Sequence, residues 1–184
     1  MAGTGESSYR RFLQGDVRAL EDLVRDCSDA LVRYAYCYVK DSAAAEDVAA
    51  ESIATVLLGG KRFADEGRFR AYLYKTAHSR AIDHLRRRSR EVPLSDVENV
   101  LQCGDVGVDA QRKMRDDAIY VCMQSLPEQY REVLHLIYFE GFSPEQTGKI
   151  LKKSAKQVYN LHARAKLALK ELLEKEGISR EELQ

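Results

Sequence analysis

Two stretches of this chain concentrate the side chains that hold anions. Residues 61–91 carry ten lysines and arginines against four acids, and residues 149–170 carry seven against none, although the whole chain is formally neutral. Cations concentrated in two islands suit two separate anionic contacts better than one diffuse polycationic surface. The first island includes "FRAYLYKTAHSRAIDHLRRRSR", residues 69–90, in which rings open a run that ends in arginines. The second contains Lys153, Ser154, Lys156, Gln157, Tyr159, Asn160 and Arg164. Gln and Asn pair bidentately with adenine, Arg and Lys pair with guanine, and all four serve phosphates. A solvated helix face would also be basic, but two islands, each coinciding with a recognisable motif, argue against that reading.

Other chemistries find little footing. His78, His84, His135 and His162 fall in different expected helices, and none has a Ser, Cys or acid at a catalytic spacing. With neither a P-loop nor a GxGxxG run, the chain is not expected to be an enzyme. Cys27, Cys37, Cys103 and Cys122 form no CxxC or CxxH pair. Reduced thiols packed as small apolar groups are expected, without disulfide, metal or cofactor. No apolar run approaches the roughly 20 residues that cross a bilayer. The opening "MAGTGESSYRR" lacks the basic and apolar segments of a signal peptide, so a cytoplasmic protein is expected, without membrane insertion.

The elements that position these islands read as helices. Across residues 9–58 apolar side chains recur every three or four positions, as in Leu31, Tyr34 and Ala35, then Val48, Ile53 and Val56. Asp16, and Asp41 or Ser42, are expected caps, Gly59-Gly60 closes the third helix, "DEGR" marks a turn, and a fourth helix opens near Phe69. Residues 91–111, rich in acids and containing Pro93, Gly104 and Gly107, read as an acidic linker. Beyond it a helix over 114–123 precedes one that starts at Pro127 and stops at Gly141. The fold class is all-α: a helical domain over 8–90, the linker, a second domain over 112–175 and a tail over 176–184. Within the second domain, "SPEQTGKILKK" and "SAKQVYNLHARAKLAL" fit a helix-turn-helix. Ser143, Pro144 and Gln146 form a capping box for its first helix, and Ser154 caps the second. That register turns Ala155, Val158 and Ala165 inward and Lys156, Gln157, Tyr159, Asn160 and Arg164 outward.

The segment "LPEQYREVLHLIYFEGFSPEQTGKILKKSAKQVYNLHARAKLAL" resembles the promoter-reading region of bacterial RNA polymerase sigma factors of the sigma-70 family, extracytoplasmic-function group. "AEDVAAESIATV" resembles that family's polymerase-binding helix, and "FRAYLYKTAHSRAIDHLRRRSR" its promoter-melting helix, in the same order. The resemblance implies a factor that binds core RNA polymerase at the clamp helices of the largest subunit, and at the flap through its second domain. It would open promoter DNA at the −10 element and read the −35 element. Carried over by position, it places Asp47, Val48 and Glu51 against polymerase. Lys61, Arg62, Phe63, Arg68, Phe69, Arg70, Tyr72, Lys75, Arg80, Arg86 and Arg87 would meet −10 DNA, where cations hold phosphates and rings stack on unpaired bases. The loop at 61–68 would take a flipped base. Phe69 and Tyr72 could equally be core residues. Two basic faces joined by an acidic linker also suit a protein held inactive by domain closure or by an anti-sigma factor.

This chain departs from the family in places. It contains no Trp, whereas members often carry one near "TVLLGG" and another at Tyr72. Thr147-Gly148 replaces the usual Ile-Ala, Lys152 replaces the turn glycine, and Leu161-His162 stands where a basic-apolar pair is common. Leu161 therefore faces DNA with His162 inward, or the helix is rotated and the two exchange roles. A helix-turn-helix regulator that does not engage polymerase, and a sigma-like interaction module without initiation activity, are the alternatives.

Overall fold

The computed structural model describes residues 7–91, 119, 120 and 122–175, and among these every regular element is helical. The acidic linker and the tail lie outside the described residues, as does most of the helix expected over 114–123. Helix α1 (Ser8–Leu13) is followed by α2 (Val17–Val39), α3 (Ser42–Leu58) and α4 (Glu66–Glu91). The Asp16 side chain caps α2 by accepting from Arg18 N at 3.0 Å. Of the two candidates for α3, Asp41 is the cap, accepting from Ala44 N at 2.8 Å. Helix α4 begins almost a turn before Phe69 because the Asp65 carboxylate accepts from Arg68 N at 2.7 Å. What reads as a turn in "DEGR" is thus a cap and a first helical turn.

In the C-terminal part, α5 (Glu128–Leu134) continues as a π-helical turn, His135–Phe139, before α6 (Pro144–Leu151) and α7 (Ala155–Lys175). The π turn, closed by Glu140 N donating to His135 O at 3.2 Å, has no signature in the apolar spacing. Its wider winding aligns positions five apart, which sets Glu140 over His135. The capping box at Ser143 and Gln146 forms as the sequence predicts. Lys152 closes α6 in the left-handed region at φ 56°. At Gly148 a Cβ would stand 2.6 Å from the Lys153 carbonyl oxygen. The tight turn between α6 and α7 therefore needs a residue without a side chain at 148.

The two expected domains share one continuous core. Leu31, Tyr34 and Tyr38 of α2, Val48 and Ile53 of α3, and Leu73 and Tyr74 of α4 pack in the same cluster as Val133, Leu136, Phe142, Ile150 and Val158. A smaller cluster of Met123, Leu126, Leu134 and Ala165 holds α7 onto α5.

Candidate nucleic-acid interface

Helix α7 is anchored by Val158 and Ala165, both fully buried, so the intervening positions face away from the core. Lys156, Gln157, Tyr159, Asn160 and Arg164 are exposed, Ser154 is exposed at the cap, and Ala155 and Lys153 are half-buried. Lys153, Gln157, Asn160 and Arg164 line a groove of about 280 Å³ together with Leu161 and Gln129. Gln129 comes from the first turn of α5, outside both basic islands, so no charge pattern in the sequence points to it. Gln157 also caps its own helix. Its Oε1 accepts from Ser154 N at 2.8 Å while its backbone N–H donates to Ser154 Oγ at 3.2 Å, a capping box for α7. Tyr159 Oη bonds Glu145 Oε1 at 3.4 Å. Neither register alternative for Leu161 and His162 describes the structure fully. Leu161 packs half-buried on the core and still lines the groove, while His162, also half-buried, meets Tyr138 Oη at 3.3 Å. Burial, aided by Lys166, holds the His162 imidazole below its ordinary pKa, so it is not a further cation at neutral pH.

In the first island, Lys61 and Arg62 stand exposed on the loop between α3 and α4, and Phe63 is half-buried beside them. Lys61 Nζ lies 4.2 Å from the Tyr72 ring centre, and the Phe63 and Tyr72 rings are 5.1 Å apart. Lys61, Arg62, Gly60, Tyr9, Phe12 and Leu13 line much of an adjoining cleft of about 220 Å³. A cation beside two rings and a cleft is a fitting chemistry for an unstacked base. Phe69 contributes only to the wall of that cleft. Its ring is 3% exposed and stacks on Tyr9 at 4.6 Å between centres, because position 69 falls on the inward stripe of α4 with Leu73 and Ala77. Of the two rings left open by the sequence, Phe69 is therefore core and Tyr72 is at the half-exposed edge. Arg68 pairs with Asp65 and Arg86 with Asp83, both within their own helix or its cap. Lys75 and Arg87 are exposed along α4.

Asp47 and Glu51 are exposed one turn apart on α3. Val48, predicted beside them, is 5% exposed. It belongs to the apolar stripe of Ala45, Ala49, Ile53 and Val56 that packs in the core, and is not available to a partner. Leu58, at the end of α3, is instead the most exposed large apolar side chain described, at 86%.

The two parts of the molecule meet through titratable groups. Arg70 Nη2 of α4 donates to Glu140 Oε2 at 2.8 Å and contacts the Glu140 carbonyl oxygen at 3.3 Å. On its other carboxylate oxygen Glu140 meets His135 Nε2 at 3.2 Å, and His135 Nδ1 lies 3.9 Å from Cys37 Sγ of α2. Burial works to raise the Glu140 carboxyl, but bonds from His135 and Tyr74 and the Arg70 charge hold it below its usual range. Burial also works against a charged His135, yet Cys37 and Glu140 keep the imidazole above its ordinary value. Nearby, His78 Nδ1 and Tyr34 Oη both bond Tyr38 Oη, at 3.0 and 2.9 Å. Burial, then Lys152 and Lys153, push His78 down to about 4. Among the described residues no cluster of His, Cys, Asp or Glu fits a metal ion, and no helix is long and apolar enough to cross a membrane.

Comparison with known proteins agrees with this layout. Residues 23–91 match the sigma-70 region 2 family and residues 116–169 match sigma-70 region 4. The RNA polymerase sigma-E factor of Streptomyces antibioticus is 30% identical over 162 residues, 88% of each chain. The RNA polymerase sigma-H factor of Pseudomonas aeruginosa is 28% identical over 175 residues, 89% of this chain and 91% of that one. Among solved structures, the sigma factor RpoE from Bartonella quintana, in complex with the anti-sigma factor NepR, superposes with a TM-score of 0.63 at 20% identity. The match covers 86% of this chain and 98% of that one. The chain belongs to the sigma-70 family, as a factor of the extracytoplasmic-function type that serves promoter-specific transcription initiation.

Proposed function

We propose that this factor binds core RNA polymerase through Asp47 and Glu51 of α3, opens the −10 element with the basic face of α4, and reads the −35 element with α7. The observation that carries the reading is the arrangement on α7. Lys156, Gln157, Asn160 and Arg164 are exposed on one helix, three of them around a single groove, with Val158 and Ala165 buried behind them. A recognition helix is held in this way, with its polar face free for base edges in the major groove. In the −10 part, Lys61, Phe63 and Tyr72 hold the unstacked base, while Arg62, Lys75, Arg80, Arg86 and Arg87 track phosphates. The clamp helices of the largest polymerase subunit, the flap, promoter DNA and an anti-sigma factor are the partners that fit these surfaces. The protein works by binding and positioning, without a reaction of its own.

Run-off transcription with purified core RNA polymerase and a library of upstream regions tests the reading. Discrete transcripts sharing a two-part upstream motif are expected. Core binding without transcripts would instead make the chain an interaction module, and duplex binding without core binding would make it a separate helix-turn-helix regulator.

A further inference from the structure

We propose that Tyr9 of α1 is a positioning residue for base capture: its hydroxyl pins the main chain of the loop between α3 and α4, so that Lys61 and Phe63 stand ready beside Tyr72. The inference deepens the reading of that loop as the site of an unstacked −10 base and rests on it.

The loop has little of its own to hold it. It leaves α3 through Gly59 and Gly60, the second at φ 65°, a conformation that glycine adopts freely and that restrains nothing by itself. Helical bonding of α3 ends with Gly59 N donating to Thr55 O at 3.0 Å, and that of α4 opens with Phe69 N donating to Asp65 O at 3.1 Å. Between these ends, the hydrogen bonds described to the main chain of residues 60–64 both involve the Tyr9 hydroxyl. Phe63 N donates to Tyr9 Oη at 2.7 Å, and Tyr9 Oη donates in return to Phe63 O at a longer 3.4 Å. A hydroxyl gives one hydrogen and accepts others, so a single atom restrains both polar groups of one residue's backbone.

Ring and hydroxyl of Tyr9 have separate tasks. The side chain is 1% exposed, and its ring stacks on Phe69 at 4.6 Å. A phenylalanine would fill that place equally well; only the hydroxyl reaches the loop. A buried hydroxyl is unfavourable unless bonded, and this one bonds a segment 54 positions away. The chemistry of the site hangs on the pinned residue. Lys61 Nζ lies 4.2 Å from the Tyr72 ring centre and 5.5 Å from that of Phe63, whose ring is 5.1 Å from Tyr72. Release of the Phe63 backbone would free the cation and one of the two rings together, while Tyr72 stays fixed on α4. A loop ordered in advance binds more tightly, because the entropy of fixing it is not lost at the moment of capture.

Helix α1 is itself anchored. Arg11 bonds Asp22 of α2 at 2.8 Å and Asp16 at 3.3 Å, so the brace runs from α2 through α1 to the loop. Phe12 and Leu13 of α1 form the cleft with Gly60, Lys61 and Arg62. Residues 8–13 precede both basic islands and the segment 23–91 that matches region 2. Neither charge nor family likeness therefore points to Tyr9.

The test uses holoenzyme assembled from the full chain and core polymerase, with fork probes of a promoter recovered by run-off. The single-stranded −10 segment is either intact or abasic at one position at a time. At least one abasic position is expected to weaken wild-type binding roughly tenfold, which marks a captured base. Tyr9→Phe, which keeps the stack on Phe69, is expected to bind the intact probe roughly tenfold more weakly than wild type. At one marked position, it is expected to bind the abasic probe as wild type does. Equal weakening on intact and abasic probes would make Tyr9 a residue of the fold alone and overturn the proposal, as would unchanged binding of the intact probe. Hydrogen exchange in the free wild-type chain tests the brace without a substitution. Corrected for intrinsic rates, the Phe63 N–H is expected to exchange roughly tenfold more slowly than those of Lys61 and Arg62, and equal rates overturn the brace. A wild-type holoenzyme that is active in run-off but indifferent to every abasic position overturns base capture, and the role of Tyr9 with it, while the initiation reading stands.

Discussion

Arg80 of α4 is bound to Glu51 of α3, and its second nitrogen donates to Thr55 Oγ1 at 2.6 Å. The cation that the proposed function assigns to DNA and the acid that it assigns to polymerase thus neutralise each other across the two helices. Both side chains keep substantial solvent contact, so the pair adds at most about 1 kcal/mol to the fold and can be exchanged for other partners. Polymerase engaging Glu51 would leave Arg80 free for a phosphate.

The pair predicts divergent effects. Glu51→Ala should weaken core polymerase binding by roughly tenfold, as for a contact near the centre of an interface. Arg80→Ala should leave core binding nearly unchanged and reduce promoter opening, read by permanganate reactivity of unpaired thymines. Unchanged opening in Arg80→Ala would remove Arg80 from the DNA face.

The two rings at the head of α4 should also separate. Phe69→Ala empties a core site against Tyr9 and should cost about 3–5 kcal/mol of stability in chemical denaturation. Tyr72→Ala should cost much less stability and instead lose about 1–3 kcal/mol in affinity for single-stranded −10 DNA, the worth of one stacked base. If Tyr72→Ala binds the strand normally, Lys61 and Phe63 form the site without it.

On α7, Asn160→Ala and Arg164→Ala should each cost about 1–3 kcal/mol and relax preference at one base pair if they read bases, or weaken all sequences alike if they hold phosphate. Gln157 should differ from both. Its capping bonds to Ser154 mean that Gln157→Ala loses about 1 kcal/mol of stability as well, whereas Gln157→Glu keeps the cap and changes only what is presented to DNA. Selection of −35 variants with each mutant distinguishes these outcomes.

Much of this architecture is legible in the sequence because it is local. Asp16 and the Ser143–Gln146 box act within one turn, and the inward stripe of Val158 and Ala165 follows from a period of 3.6. The misplaced residues are those decided by packing across helices. Position 48 lies between two acids that are exposed, so adjacency suggests a shared role, but a helix turns adjacent residues about 100° apart and Val48 points to the core. Phe69 has the composition of a stacking residue, and its place on the inward stripe of α4, stacked on Tyr9 60 positions away, makes it structural. The π turn at His135 leaves no mark on apolar spacing, so the pairing of His135, Glu140 and Arg70 could not be read. Gln129 enters the α7 groove through a tertiary contact that carries no charge signal.

The seam between the two parts should also depend on pH through Glu132. This carboxyl is 4% exposed, and burial pushes it from an ordinary 4.5 up to about 7, against the opposing effects of a bond from Tyr38 and the Lys153 charge; Glu128 adds to the rise. A carboxyl with a raised folded-state pKa favours the protonated form, so its full stability is present below 4.5 and is lost as the pH rises through 7. The shift corresponds to about 3 kcal/mol. Glu132→Gln, which keeps a neutral side chain of the same shape, should therefore be more stable than wild type at pH 8 by up to that amount. The advantage should vanish near pH 4.5. His78, held near 4 by burial, loses stability in both chains as the pH falls, so it lowers the two curves together and leaves their difference to Glu132. Urea denaturation of the two proteins from pH 4.5 to 8 measures that difference directly, and parallel curves would mean that Glu132 stays ionised in the seam, compensated by Lys153.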